Sequence, residues 1–274
     1  MKPMKSKSLS RLAGLLTLLT AATAPADVVT LQPVDDSTIG TQYPTNTADG
    51  SQFVLEFWIS GYTHRPLLKF DLSSIPDGWA VLSAELTLLH NLWHPNSAPV
   101  FHTEVWRMPN DNWSEETVTW DNYDQAGGVA VALRQSQGWT NWNALVPWVW
   151  NIRIADWNYA QDLLDDAVTF ETRWQGGDNF WLFTGFSSKE GTVAPTLRIE
   201  YVPILTITKT NELLIVSWPG PAAGWMLERT NVLRDVSAPW PTVSPPCQTN
   251  GDTISVTFTN TPAVGSQFFR LHKP

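Results

Sequence analysis

Pro66-Leu67-Leu68-Lys69-Phe70-Asp71-Leu72 decides the fold. Leu68, Phe70 and Leu72 fall on one side of an extended chain, and Leu67, Lys69 and Asp71 on the other, the period of two that marks a strand. The pattern recurs outward from there. Val81 to His90 sets Ala84, Leu86 and Leu88 opposite Glu85, Thr87 and Leu89. Phe53 to Ile59, Val100 to Trp106, Thr117 to Trp120, Phe180 to Thr184 and Thr196 to Val202 read as further strands. Trp148 to Ile154 places Trp148, Trp150, Ile152 and Ile154 on one side, which assigns these two indoles to the core. Asp77-Gly78, Gly127-Gly128 and Gly176-Gly177-Asp178 supply turns between them. One helix is expected at Trp157 to Asp165, capped by Asp156, with Trp157, Ala160 and Leu164 at helical spacing. Many short strands with a single short helix predict an all-β fold, an antiparallel β-sandwich.

The composition changes near Val202-Pro203. Leu205 to Ile207, Leu213 to Trp218, Trp225 to Glu228, Ile254 to Phe258 and Phe268 to Leu271 are strand-like and are punctuated by prolines. Residues 204–274 are therefore expected to form a small second β-sandwich, immunoglobulin- or fibronectin-like. The first unit, 27–202, is long enough to bury a sizeable core.

Residues 1–26 have the order of a secretory signal peptide: basic Lys2, Lys5, Lys7 and Arg11, an apolar run from Leu12 to Ala22, then Ala24-Pro25-Ala26. Cleavage is expected before Asp27, with export as a secreted or cell-surface protein. The apolar run is short for a bilayer, and no later segment is apolar for long enough to span one, so no membrane insertion is expected after processing. Removing the leader lowers Lys+Arg from 17 to 13 against 26 Asp+Glu, a formal charge of −13. That sign excludes nucleic acid as an expected partner. A single cysteine, Cys247, excludes a disulfide framework and a multi-cysteine metal centre.

Five blocks, in order, resemble the secreted bacterial DNRLRE-type domains grouped with carbohydrate-binding module family 96. They are Asp35 to Ile39, Arg65 to Pro76, Ser83 to Leu88, Trp113 to Trp120, and the closing pair Ser187 to Glu190 and Pro195 to Tyr201. The resemblance covers about 27–202. It implies a jelly roll and binding to polysaccharide, with alginate-type chains among the ligands. The chain departs from the family pattern at Ile152 to Asp156, which lacks a Thr, and in the tryptophan-rich stretch 139–150. The ending Phe268-Phe269-Arg270-Leu271 is similar to a C-terminal module carried by many secreted bacterial proteins.

The chain has 16 tryptophans, and 13 of them lie from Trp58 to Trp181, so indole surface is concentrated in the first unit. Indole faces stack on the apolar face of a pyranose. Trp93, Trp139 and Trp142 sit in turn-rich segments and are the expected aromatic contacts; Trp58 reads as core. Arg65 and Lys69 share one strand face, and Lys189 stands in the closing block. These cations can pair with uronate carboxylates, but the pairing of Lys69 or Arg65 with neighbouring Asp71, Glu115 or Glu190 across strands stands ahead of it. The charge of −13 repels polyanions at long range, so a neutral glycan competes with an alginate-type one.

Catalytic motifs are missing. There is no Gly-x-Ser-x-Gly, phosphate-binding loop or His-Glu-x-x-His. His90 and His94 straddle a strand end and Pro95, a poor start for a transition-metal site. Asp35-Asp36, Glu115-Glu116 and Asp165-Asp166 are adjacent pairs, which on a strand point apart, whereas a glycosidase dyad faces across a bond. A lyase base would come from His102 with Tyr123 or Tyr159. No cofactor is expected, apart from a structural calcium that loop carboxylates such as Asp121 and Asp124 can hold. The expectation is an exported, non-catalytic polysaccharide-binding protein. The alternatives are an adhesive or structural envelope protein that meets no sugar, and a polysaccharide lyase or hydrolase.

Overall fold

A computed structural model describes residues 26–46, 54–59, 62–94, 102–135, 146–175, 182–210, 212–232, 240–243, 246–259 and 266–274. The described chain is a β-sandwich. The first eleven strands are β1 (Asp27–Leu31), β2 (Pro33–Gly40), β3 (Val54–Ile59), β4 (Thr63–Asp71), β5 (Trp79–His94), β6 (His102–Met108), β7 (Val129–Gln135), β8 (Val146–Ile152), β9 (Ala167–Gln175), β10 (Leu182–Ser187) and β11 (Thr196–Pro203). They form one continuous antiparallel sheet in the order β1-β11-β5-β10-β3-β4-β9-β6-β7, with β2 also on β4 and β8 also on β5.

The sheet doubles back on itself. β5, 16 residues long, pairs with β11 over its first half and with β10 at its end, while β8 takes its other edge. The layer β1-β11-β5-β8 thus faces the layer β2-β4-β9-β6-β7, with β10 and β3 as the bend. Trp150 of β8 spans the gap, donating Nε1–H to Thr103 Oγ1 of β6 at 3.2 Å. Arg153, just past β8, donates its N–H to Val131 O of β7 at 2.7 Å and draws the far edges together.

The core follows from alternation. Leu68 and Phe70 of β4, Val168 and Phe170 of β9, Leu86 and Leu88 of β5, and Trp148 and Trp150 of β8 all point between the layers and are buried. Trp148 is 1% exposed, with its ring 5.3 Å from Phe186 and stacked 5.5 Å from His90 at 13°. An aromatic of this size buries about 150–250 Å², several kcal/mol at about 25 cal/mol per Å² before conformational entropy is set against it.

Two expectations are corrected. Helix α1 spans only Tyr159–Asp162, with Asn158 at its cap position. Asp156 instead pairs with Arg153 at 2.5 Å. Past the helix Leu164 N–H closes a tighter turn on Gln161 O at 3.0 Å and Asp166 takes φ 58°, while the Asp162 side chain is held by Arg107 and by Trp157 Nε1–H at 2.5 Å. The expected strand Thr117 to Trp120 is a run of turns. It meets no partner strand among the described residues; Thr117 and Val118 donate back to Ser114 O, and the Asn122 side chain accepts from Thr119 N–H at 2.8 Å.

Beyond Pro203 come β12 (Thr206–Lys209), β13 (Leu213–Pro219), β14 (Met226–Thr230), β15 (Gln248–Asn250), β16 (Thr253–Thr259) and β17 (Phe268–His272). They make a four-stranded sheet, β12-β13-β16-β15, and a two-stranded sheet, β14-β17. Val216, Trp218, Trp225, Leu227 and Val256 join the same hydrophobic cluster as the first unit. Trp79 is the junction, 5.4 Å from Tyr201 and 6.3 Å edge-on from Trp225. Gly78, at φ 75°, makes the turn into Trp79 in a conformation that other residues resist, close against Pro219. No helix among the described residues is long and apolar enough to cross a membrane.

Candidate functional site

The outward face of the second layer carries the candidate site. Register sets its rows. Lys69 of β4 stands opposite Thr169 of β9, which stands opposite Met108 of β6. The next row is Leu67, Glu171 and Trp106. Beyond it Arg173 faces Glu104, and Arg65 lies two residues along β4. The segment between β6 and β7 folds over this face. Trp113, Val118 and Tyr123 pack there with Ile39, Leu67 and Met108 in a second hydrophobic cluster. β4 is consequently buried on both faces, and neighbouring Leu67 and Leu68 are both fully covered.

At one corner of this cover, ion pairs bind the segment to the sheet. Lys69 Nζ pairs with Asp35 at 2.6 Å, donates to Trp113 O, and lies 5.1 Å over the Trp113 ring. Lys189 Nζ pairs with Glu115 at 2.8 Å and Glu190 at 2.5 Å. Asp36 accepts the Lys189 N–H at 2.7 Å and donates its own to Glu115 at 3.3 Å, while Glu115 N–H reaches Asp35 at 3.2 Å. Burial, with Glu190 and Glu115 close by, pushes the Asp36 carboxyl up to about 7 against the opposing Lys189 N–H. Burial pulls the Lys189 ammonium down, but Glu115 and Glu190 outweigh it and hold it above the ordinary lysine value. Asp35 and Asp36 point to different partners, as adjacent strand residues must.

At the other end the same segment brings Trp120 and Gln125 against two partly exposed arginines. Arg65 Nη1 donates to Glu171 at 2.9 Å and to Gln125 at 2.5 Å. Arg173 Nε donates to the same Glu171 oxygen at 2.5 Å. Glu171 is 0% exposed, and its second oxygen accepts no hydrogen bond among the described residues. The Arg173 guanidinium lies 3.9 Å from the Trp106 ring centroid and that of Arg65 5.1 Å from Trp120. The Trp106 indole N–H is fixed by Glu104 at 2.7 Å. Both indoles and both guanidiniums are half-buried. Burial draws the Arg65 guanidinium below its ordinary value and Glu171 opposes this.

The structure therefore brings Arg65 together with Arg173 and Glu171 and places Lys69 and Lys189 in the ion-paired corner. The backbone of Trp93 lies in β5 opposite Thr184 of β10, while its side chain, with all of Trp139 and Trp142, lies outside the described residues. Sequence reasoning passed over Trp106, Trp120, Glu171 and Arg173. The available signal was Thr169, Glu171 and Arg173 alternating with buried Val168, Phe170 and Thr172.

Asp121 and Asp124 are exposed, and Asp124 caps Ala126 N–H at 2.9 Å. Among the described residues the group able to offer three metal ligands is instead Asp111, Asp162 and Asp165, with ligand atoms within 4.8 Å of one another. The Arg107 guanidinium already bonds both oxygens of Asp162 there. His90 is buried in the core. Tyr123 donates to Asn110 O at 3.2 Å, and burial followed by the nearby Glu171 raises its phenol above the ordinary value, which unfits it as a base.

The profile of carbohydrate-binding module family 96 matches residues 27–201. No curated protein matches the chain.

Proposed function

The chain belongs to carbohydrate-binding module family 96, and we propose that it is an exported, non-catalytic protein that binds polysaccharide at the Arg65–Arg173 end of the outward face. The observation that carries this reading is the pair of guanidiniums, Arg65 and Arg173, each set over an indole and both anchored on buried Glu171. The exposed part of each half-buried indole offers apolar surface to a sugar ring. The guanidiniums and the Gln125 amide fix its orientation through hydroxyl or carboxylate oxygens. Glu171 holds both arginines in place before any ligand arrives, which lowers the entropy lost on binding. Lys69 and Lys189 act indirectly, by holding down the segment that carries Trp120 and Gln125. The leader at 1–26 supports export.

The test is a glycan array on the processed chain, residues 27–274, followed by calorimetry on the best ligand and product analysis. Trp106→Ala and Arg173→Ala should each weaken binding at least tenfold while the far-UV and near-UV spectra stay native. Trp139→Ala and Trp142→Ala run beside them. Full binding retained by Trp106→Ala and Arg173→Ala, or release of shorter sugars, overturns the proposal.

A further inference from the structure

We propose that the C-terminal sheets carry a second binding site, one that captures the terminal carboxylate of a peptide through Arg229. The site is a cavity of about 410 Å³, lined by Arg229, Asn231, Pro241, Thr242, Val243 and Phe258 among others. That volume is at the lower end of the range for small-ligand pockets.

The walls are held by backbone bonds. β14 pairs with β17 along one edge. Its other edge is covered by residues 241–243: Arg229 N–H donates to Pro241 O at 3.1 Å, Val243 N–H donates to Leu227 O at 2.9 Å, and Glu228 bridges Thr242. Phe258 of β16 closes the inner side, its ring 5.4 Å from Phe269 and 5.0 Å from the Arg229 guanidinium. Arg229 is half-buried by this stacking.

Among the described residues the charge of Arg229 meets no carboxylate. Arg65, Arg107, Arg153, Arg173, Arg198 and Arg270 each hold a carboxylate. Arg229 holds none among the described residues. The adjacent carboxylate, Glu228, is taken by Arg270 at 2.7 Å and faced by His272 at 3.4 Å. An arginine fork kept partly from water with no carboxylate partner among the described residues is a receptor for a carboxylate, which it binds through two parallel hydrogen bonds. The other surfaces point to a peptide end rather than a sugar acid. Pro241, Val243 and Phe258 supply apolar contact for a side chain, no indole lines the cavity among the described residues, and Asn231 and Thr242 can serve a peptide group. Capture of a chain's terminal carboxylate is a recurrent mode of peptide recognition.

The test uses the chain 27–274 labelled with ¹⁵N, titrated with N-acetyl-leucine, N-acetyl-leucinamide and glucuronic acid. N-acetyl-leucine should shift the amide signals of Arg229, Thr242 and Val243 saturably, at least tenfold more tightly than either other probe. Arg229→Met should reduce its affinity to that of the amide. Equal binding of acid and amide, tighter binding of glucuronic acid, or no saturable shift at tens of millimolar N-acetyl-leucine overturns the proposal. If Arg229→Met does not fold, the acid–amide comparison on the native chain decides alone. None of these readings depends on glycan binding by the first unit.

Discussion

The Asp27 carboxylate accepts the Trp225 indole N–H at 2.8 Å, joining residues 198 positions apart. Lys273 Nζ bonds the other oxygen of the same carboxylate. The first residue of β1 thus ties the start of the first unit to the end of the C-terminal sheets, over the Trp79–Trp225 contact.

Asp27→Ala should loosen this junction. It removes two charge-assisted bonds and leaves a largely buried indole N–H without a partner, a cost of roughly 1–3 kcal/mol. Urea denaturation followed by tryptophan fluorescence should show the midpoint fall, and Asp27→Asn should recover part of it. An unchanged midpoint for Asp27→Ala would show that apolar packing alone holds the junction.

Asp36 makes stability depend on pH in an unusual sense. Its carboxyl lies at about 7 folded, against 3.8 ordinarily. The folded state therefore binds this proton more tightly than the unfolded state. Its contribution falls as pH rises through the window from about 4 to 7, and the penalty is complete above about 7, at most ~4 kcal/mol. Asp36→Asn keeps an oxygen for the Lys189 N–H and loses the titration. Denaturant melts from pH 4 to 8 should show a flatter profile for the variant and higher stability than the parent at pH 8. Parallel profiles would refute the assignment.

Glu171 is the counter-charge for two guanidiniums and is fully covered. Glu171→Ala leaves Arg65 and Arg173 facing each other unbalanced, and should cost about 3–5 kcal/mol. Calorimetric unfolding measures the loss. Double variants with Arg173→Ala should lose less than the sum of the two single losses, because the residues share one interaction.

Trp148→Ala removes a fully buried indole between Phe186 and His90 and should cost about 3–5 kcal/mol. In the temperature range where the variant is still folded, glycan affinity should match the parent, since Trp148 faces the core and not the outward face. Lost affinity in a folded variant would place the sugar elsewhere.

Much of the fold is local information. The two-residue period of Leu68, Phe70 and Leu72 against Leu67 and Lys69 is written in the chain, as are the core positions of Trp148 and Trp150. The run Thr117 to Trp120 shows where local information stops. Its residues favour strand, but a strand needs a partner edge, and here β4 and β9 present a face instead.

The candidate site divides in the same way. Alternation placed Arg65 and Lys69 on one face, yet it carried no sign that Lys69 would meet Asp35 or that Arg65 would share Glu171 with Arg173. Charge, period and turn residues are properties of short segments, so the sequence by itself determined the sandwich and the inward set of side chains. Which cation is neutralised, and which indole stays partly exposed, is set by register between β4, β9 and β6 and by the segment folded over them. Lys69 reaches Trp113 across 44 positions and Arg65 reaches Glu171 across 106, and only the tertiary structure decided such contacts.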